Sequence, residues 1–343
     1  MKTLHIVLLA MVAVPLLTSC EHNVTSETTV HTDGSLDKKF VFDKDDSVLN
    51  ILGLRREGGW RKTVQAGDSS SAPVKSYEYS TTYEKTYVSA EDANRELAAP
   101  NDSLLRITSS FEKRFRWFYT YIRYTETIHA LNWLRLKPDD YLVQEDYAFI
   151  ERLPAEGKPI SKADEFYLSE LNNRMYDVYG MRALFEEYLN VGTNLLKEQQ
   201  LDQRWLDTIR VHQNDLFAIM KSKEGDMKDM PHAIHSIGIP LDTASFGSIY
   251  RSRCRPLNGK TSFISIASEG KYKYIVHLPW PLTSTNADSV SGTTVAWAPP
   301  PIKFLLKDYT MYSECRTPNY LLWLLSGSVV IFTGYLFVRP RKR

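Results

Sequence analysis

Residues 161–190 read SKADEFYLSELNNRMYDVYGMRALFEEYLN, and this stretch decides the fold class that the sequence predicts. Its apolar residues recur every three or four positions, which is the period of an amphipathic helix. Ser161 and Asp164 give it the start of a capping box, in which side chains satisfy the free N–H groups of the first turn. The pattern predicts a helix to Asn190, followed by a second helix over 202–221. The apolar positions are Phe166, Leu168, Leu171, Met175, Val178, Met181, Leu184 and Leu189.

Patterns typical of β-strands lie on both sides of these helices. Asp33-Gly34 is a favoured hairpin turn within 24–42, and Asn258-Gly259 predicts a second hairpin that joins 249–257 to 260–267. The strands at both ends of the region between the two apolar stretches can complete one sheet or sandwich, which would also bring the N-terminal and C-terminal membrane attachments near each other. The predicted fold is therefore α+β, an antiparallel β-sheet or sandwich with an inserted helical lobe, plus one C-terminal transmembrane helix. Further strands are expected over 75–88, 104–128, 271–278, 293–297 and 304–312, a loop over 61–73, and short helices over 89–98 and 140–152.

These patterns divide the chain into six segments. The order is a lipoprotein signal peptide (1–19), an N-terminal β-rich region (20–134), a helical insertion (135–247), a C-terminal β-meander (248–316), a transmembrane helix (320–338) and a basic cytoplasmic tail (339–343).

The composition excludes several classes of protein. The 343 residues are 43% hydrophobic and carry a formal net charge of +1, so the chain is too apolar and too nearly neutral to be disordered. Nucleic-acid binding usually leaves a basic footprint, and none is present. Lys2 and four residues of the tail carry five of the positive charges, so the region between the two ends is net acidic.

The N-terminus has the three parts of a secretory signal: a basic start, an apolar run over 4–17 and small residues before a cysteine. Leu17-Thr18-Ser19-Cys20 resembles a bacterial lipobox. The resemblance implies cleavage before Cys20 and attachment of lipid to its thiol and new amino terminus. The alternatives are a plain signal peptide and an uncleaved anchor, although the apolar run is short for a bilayer.

The second apolar stretch covers 320–338, has no charged residue and is long enough to cross the hydrocarbon core of a membrane. Because positive residues stay on the cytoplasmic side, the basic tail predicts a cytoplasmic C-terminus and an exterior main domain. Together with the lipobox, this places the protein in a bacterial inner membrane with its main domain in the periplasm. The alternative is a buried core helix.

The segment 277–297 resembles the membrane-proximal β-rich domain of uncharacterised bacterial envelope lipoproteins. The resemblance is carried by His277-Leu278-Pro279-Trp280-Pro281, Asn286-Ala287-Asp288 and the strand that ends at Trp297, with Trp280 where the family pattern has glycine. It implies a β-sandwich near the membrane and no known activity.

Two sets of residues are candidates for covalent modification. If Cys20 takes lipid, Cys254 and Cys315 remain, and an even pair outside the cytoplasm suggests a disulfide. Two buried free thiols are the alternative. A recurring Asp followed by Ser or Thr is similar to the O-glycosylation signal of Bacteroidetes periplasmic proteins, although such pairs also begin helices and strands. The acceptors would be Ser47, Ser103, Thr208, Thr243 and Ser289.

Two patterns are candidates for binding. Arg251, Arg253 and Arg255 alternate, which on a strand would place three guanidinium groups on one face, suited to phosphate or carboxylate or else simply solvated. Aromatic residues over 115–121 alternate as well, as do Tyr77, Tyr79 and Tyr83, and the two sets form one candidate stripe. They would either line a glycan or lipid cleft or pack across neighbouring strands.

No catalytic motif is present, and His232 with His235 is too sparse a pair to indicate a metal site. The sequence therefore predicts no catalytic residue, no metal and no cofactor. The leading hypothesis is a non-enzymatic binding or assembly module of the cell envelope, with the membrane and an envelope protein as partners and no nucleic acid. The alternative is a periplasmic lipid- or glycan-binding domain, or a hydrolase, with a pocket between sheet and helical lobe.

Overall fold

The computed structural model describes residues 23–42, 58–66, 79–98, 105–222, 226–268 and 270–338. The chain forms two compact units, one made of the residues up to 130 together with those from 269 onwards, the other of residues 131–268. Strands lie in the first unit and most helices in the second. The α+β class is therefore confirmed.

The first unit contains two β-sheets. The larger has the strand order β3-β4-β2-β1-β7-β10-β9 and the smaller β5-β6-β11-β8. All pairs are antiparallel except β1 with β7, which run parallel. The strands are β1 (Asn23–Val30), β2 (Leu36–Phe42), β3 (Arg61–Ala66), β4 (Tyr79–Tyr87), β5 (Ile107–Phe115), β6 (Tyr119–Ile128), β7 (Lys271–His277), β8 (Leu282–Thr285), β9 (Ser289–Ser291), β10 (Thr294–Trp297) and β11 (Tyr309–Pro318).

The first hairpin forms as its sequence predicts. Alternate residues of β1 and β2 are buried, which is the period of a strand with one face on a core. Gly34 supplies the positive φ of +97° in the turn, and Asp33 accepts a hydrogen bond from the backbone N–H of Ser35. The pairing of β1 with β7 joins the two ends of the chain in one sheet, as expected.

The second unit is helical, and the long predicted helix is present in it. It runs as one α-helix (Lys162–Asn173), a seven-residue π-helical segment (Arg174–Gly180) and a second α-helix (Met181–Glu198). Gly180 fits this segment because a Cβ there would lie 3.0 Å from the carbonyl oxygen of Met175. The α-helices that the structure describes are α1 (Ala90–Leu97), α2 (Gln144–Arg152), α3 (Lys162–Asn173), α4 (Met181–Glu198), α5 (Gln203–Val211), α6 (Gln213–Ser222), α7 (Met230–Ser236), α8 (Thr243–Arg253), α9 (Arg255–Ser268), α10 (Ile302–Leu305) and α11 (Tyr320–Val338).

The hairpin predicted over 249–267 is wrong, because α8 and α9 occupy those residues. Phe246, Tyr250 and Cys254 follow each other at a spacing of four and are buried in the helical core, so the segment has a helical period. Asn258 lies within α9, where its side chain accepts a hydrogen bond from the Tyr188 hydroxyl at 2.5 Å. The helical unit therefore extends to residue 268 instead of 247.

Two smaller differences concern the first unit. The segment expected to be a loop contains β3, which pairs with β4 from Arg61 to Ala66. The strand expected over 304–312 begins later, because α10 comes first and β11 covers Tyr309–Pro318.

Candidate functional site

The helix α11 is the part of the described chain that is long and apolar enough to cross a membrane. It has 19 residues, and none of its most apolar window is buried inside the structure. A soluble protein would cover such a surface, because burying apolar area is the main driving force of folding. An apolar helix of this length without a protein cover fits the hydrocarbon core of a bilayer.

The start of α11 is held by the turn between β5 and β6. We call residues 115–119 the hairpin tip. Asn319, which links β11 to α11, donates from its side-chain amide to the carbonyl oxygen of Arg116 at 2.6 Å and from its backbone N–H to that of Phe118 at 2.9 Å. The hydroxyl of Thr120 donates to the side-chain oxygen of Asn319. One asparagine therefore satisfies polar groups of both the tip and the helix start.

Aromatic contacts extend this joint along the first turns of α11. The indole of Trp323 donates to the carbonyl oxygen of Phe118 at 3.0 Å, and its ring centre lies 4.5 Å from that of the Phe118 ring. The indole of Trp117 donates to the hydroxyl of Ser326 at 2.9 Å. Together these contacts fix the direction of α11 relative to the sheet β5-β6-β11-β8.

The hairpin tip is exposed although it is rich in aromatic residues. Phe115 is 64% exposed and Trp117 is 53% exposed. A groove of about 540 Å³ lies beside the tip, and we call it the tip groove. Its walls combine the rings of Trp117, Tyr119 and Tyr121 with arginine side chains. Of the predicted aromatic stripe, these three rings line the groove, whereas Tyr83 is buried against Phe42 in the other sheet.

The arginines of the tip groove differ in their partners. Arg114 pairs with Glu112 at 2.9 Å, and Arg123 lies 3.6 Å from Glu314. Arg116 is exposed and forms no ion pair with any residue that the structure describes. The groove therefore carries an unneutralised positive charge next to the start of an apolar helix.

A buried polar cluster lies between the two sheets of the first unit. The ammonium group of Lys38 in β2 donates to Oε2 of Glu126 in β6 at 2.5 Å, and the hydroxyls of Tyr124 and Thr28 donate to the same oxygen. The Lys38 and Glu126 side chains are 0% and 2% exposed. Burial, together with the adjacent Glu126 carboxylate, raises the pKa of the Tyr124 hydroxyl well above its usual range. This cluster joins the sheets and offers no access to a substrate.

The same contacts show how the strands run relative to α11. The hydroxyl of Thr28 in β1 donates a hydrogen bond to Glu126 in β6. Further along the chain, the carbonyl oxygen of Thr32 accepts a hydrogen bond from Lys113, which pairs with Ile122, a residue of β6 nearer the hairpin tip. The direction of β1 is thus towards the hairpin tip, and the first residue of β1 lies at the opposite end. At a rise of about 3.3 Å per residue, Asn23 and Tyr119 lie roughly 35 Å apart along the strands of the sandwich.

The predicted disulfide between Cys254 and Cys315 is not formed, and both are free, buried thiols. Cys254 follows α8 in the helical unit, whereas Cys315 lies in β11 of the other unit, so the predicted single β-meander that was to bring them together does not exist. Burial raises the pKa of the Cys315 thiol to about 11 and also raises that of Cys254.

The three alternating arginines do not share a strand face, because Arg251 and Arg253 end α8 and Arg255 begins α9. Arg253 pairs with Glu198 at 2.9 Å. The strand-based anion site is therefore wrong.

The expected modification sites fall in different environments. Thr208 lies within α5 and donates to the carbonyl oxygen of Arg204, and Thr243 begins α8 after its cap Asp242. Ser289 begins β9 and is exposed. The remaining candidates lie outside the described residues, as do the signal peptide and the basic tail. They are Cys20, Ser47 and Ser103.

Within the described ranges, no three His, Cys, Asp or Glu side chains are grouped so that they could hold a metal ion. His235 instead contacts the carbonyl oxygen of Ile239 through Nδ1 at 3.0 Å. The residues that sequence reasoning missed are Arg116 and Asn319. Their joint depends on β6 pairing with β11, and no local pattern reveals that pairing.

No protein-family model matches the chain, and no curated protein matches it in sequence. Among solved structures, the folded domain of the LppM protein of Mycobacterium tuberculosis is similar, with 8% sequence identity, a TM-score of 0.26, and coverage of 87% of this chain and 91% of that one. A likeness with this TM-score carries no argument about activity.

Proposed function

We propose that the protein is a bacterial envelope lipoprotein that stands on the inner membrane through α11, with both units in the periplasm and the C-terminus in the cytoplasm. The observation that carries this proposal is the joint between the hairpin tip and the start of an apolar helix whose most apolar window is not buried within the described chain. The basic residues after Val338 support the orientation, since positive charge remains on the cytoplasmic side.

In this proposal the protein acts as a non-enzymatic binding or assembly module, and the helical unit presents the surface for an envelope protein. Large apolar side chains on this unit are exposed to solvent. Phe166 on α3 is 70% exposed and Val211 at the end of α5 is 78% exposed. Exposed apolar residues of this size are typical of protein interfaces when they are grouped.

The lipid on Cys20 would attach the protein at a second place. Three residue steps separate Cys20 from Asn23, and they span at most about 11 Å. Because Asn23 lies roughly 35 Å from the start of α11 along the strands, the lipid cannot reach the bilayer surface at the hairpin tip. We therefore propose that the acyl chains enter a second hydrophobic surface, so that the sandwich spans the gap between two attachments.

Site-specific photo-crosslinking in living cells tests the assembly role. A photoreactive residue at position 166 is expected to give one defined covalent product, and a matched probe at the polar Lys158 is expected to give none. The product should disappear in a Val211→Asp background if both residues belong to one interface. A protein that stays uncrosslinked from every exposed apolar position of the helical unit contradicts the proposal.

A further inference from the structure

We propose that the tip groove binds the headgroup of an anionic phospholipid from the bilayer that α11 enters. The inference rests on the proposed membrane attachment through α11. It adds a ligand class and a binding site that lie outside the assembly role. Three observations carry it: the position of the groove, its charge and the aromatic residues around it.

The position follows from the joint with α11. Ser326 is the seventh residue of the helix, about 9 Å from its start at a rise of 1.5 Å per residue. Trp117 donates a hydrogen bond to this serine. When the 19 residues of α11 cross a membrane, the indole of Trp117 therefore lies below the lipid headgroups. The part of the groove at Tyr119, which pairs with Pro318 just before α11, lies at the level of the headgroups.

The charge suits a phosphate. Arg116 has no carboxylate partner among the residues that the structure describes. Arg114 forms an ion pair with Glu112, and both side chains of that pair are exposed. Arginine binds phosphate oxygens through two parallel N–H groups, which a point-like ammonium does not. The backbone N–H of Arg116 donates to the Tyr119 carbonyl oxygen, which closes the turn and fixes the backbone from which the Arg116 side chain extends.

The aromatic residues suit the zone just below the phosphates. Tryptophan and tyrosine are enriched at membrane interfaces, because their rings prefer the boundary between headgroups and acyl chains. The first turns of α11 carry Trp323 and contact Trp117 and Phe118 of the hairpin tip. Phe115 is exposed at the end of the hairpin. The groove therefore offers arginine to the headgroup and ring faces to the glycerol and upper acyl chain.

Native mass spectrometry of the full-length protein tests this inference. The protein is reconstituted in nanodiscs of phosphatidylcholine that contain a minority of phosphatidylglycerol, and the lipids retained after release are identified. The wild type should retain phosphatidylglycerol in preference to phosphatidylcholine. The double variant Arg114→Gln/Arg116→Gln should lose about 30-fold in affinity for it. The matched control Arg61→Gln removes an exposed arginine of β3 and should retain the lipid as the wild type does.

Three outcomes would overturn the inference: equal retention of the two lipids, unchanged retention in the double variant, or displacement of the lipid by millimolar inorganic phosphate. The melting temperature of the double variant is measured alongside, and a second pair, Trp117→Ala with Tyr121→Ala, tests the groove without removing charge. Failure of the proposed membrane attachment looks different, because the protein would then not enter nanodiscs at all.

Discussion

The indole nitrogen of Trp117 lies 2.9 Å from the hydroxyl oxygen of Ser326, across 209 positions of the sequence. This contact links the end of a β-hairpin to the second turn of an apolar helix. A single residue, Asn319, separates β11 from α11. The geometry couples the orientation of the sandwich to that of the helix.

Asn319 is expected to determine how rigid this joint is. Asn319→Ala removes side-chain hydrogen bonds to the carbonyl oxygens of Arg116 and Trp117 and leaves the Thr120 hydroxyl without its acceptor. Hydrogen–deuterium exchange of the purified protein should show faster exchange in residues 116–120. Asn94→Ala is the matched control, since Asn94 bridges to the backbone of Ser109 in the same way away from the tip. Unchanged exchange at the tip would contradict the role of Asn319.

Lys38 and Glu126 are expected to behave as a buried pair that is costly to break. Lys38→Met leaves a buried carboxylate without its cation and should lower the free energy of unfolding by about 3–5 kcal/mol. Adding Glu126→Gln removes the unpaired charge and should recover most of this loss. Urea unfolding of the wild type and the two variants measures both effects, and a loss below about 1 kcal/mol in Lys38→Met would be inconsistent with a dry interior at this place.

Asp146 is expected to make the helical unit sensitive to acid. Burial raises its pKa, but hydrogen bonds from Arg174 and Tyr167 outweigh burial and lower the pKa overall. Because the folded-state pKa lies below the unfolded value, the ionised carboxylate stabilises the fold above that unfolded value, and the contribution is lost as the pH falls through the folded-state pKa.

The variant Asp146→Asn should lower the free energy of unfolding at pH 7 by about 2–4 kcal/mol and flatten its decrease between pH 5 and pH 3 (roughly the range of carboxyl titration). Thermal unfolding across pH measures this. Glu198→Gln, at the exposed pair with Arg253, is the control and should cost under about 1 kcal/mol. An unaltered acid profile in Asp146→Asn would contradict the assignment.

The two thiols are expected to be reduced and slow to react. Under denaturing conditions without reductant, Cys254 and Cys315 should both alkylate fully, whereas a disulfide-linked pair of peptides would contradict the structure. In the folded protein, the pKa of Cys315, raised by burial from 9.0 to about 11, leaves about a hundredfold less thiolate at a given pH below 9. Alkylation at pH 8, followed by peptide mass spectrometry, should therefore be slowest at Cys315.

The sequence predicts the local elements of the sandwich well where turn and cap signals agree with the period. Asp33-Gly34 lies in the turn between β1 and β2, and Ser89 caps α1 through the backbone N–H of Asp92. The segment 248–268 fails for a physical reason. Its Asn-Gly pair and its isoleucine and threonine residues favour a hairpin locally, but burial of Tyr250 and Leu257 against the helical core selects a helix.

The site could be predicted only in part. The alternation over 115–121 indicates strands that carry aromatic side chains. Arg116 and Asn319 lie close together because β6 pairs with β11, and no local sequence pattern predicts that pairing. The sequence does not predict the direction of β1 relative to α11 either. The sequence places both ends of the exterior region in one sheet and predicts that the two membrane attachments lie near each other, whereas the contacts of Thr28 with Glu126 and of Thr32 with Lys113 show that Asn23 lies away from α11.

The most direct test of the account is the distance of each end of the sandwich from the membrane. A fluorophore is attached at position 115 or at position 25 of the full-length protein in vesicles, after replacement of Cys254 and Cys315, and energy transfer to acceptor-labelled lipid headgroups is measured. The account predicts strong transfer from position 115 and weak transfer from position 25, because residues near Asn23 lie roughly 35 Å further from the bilayer. Equal transfer from both positions would contradict it, since the sandwich would then lie flat on the membrane.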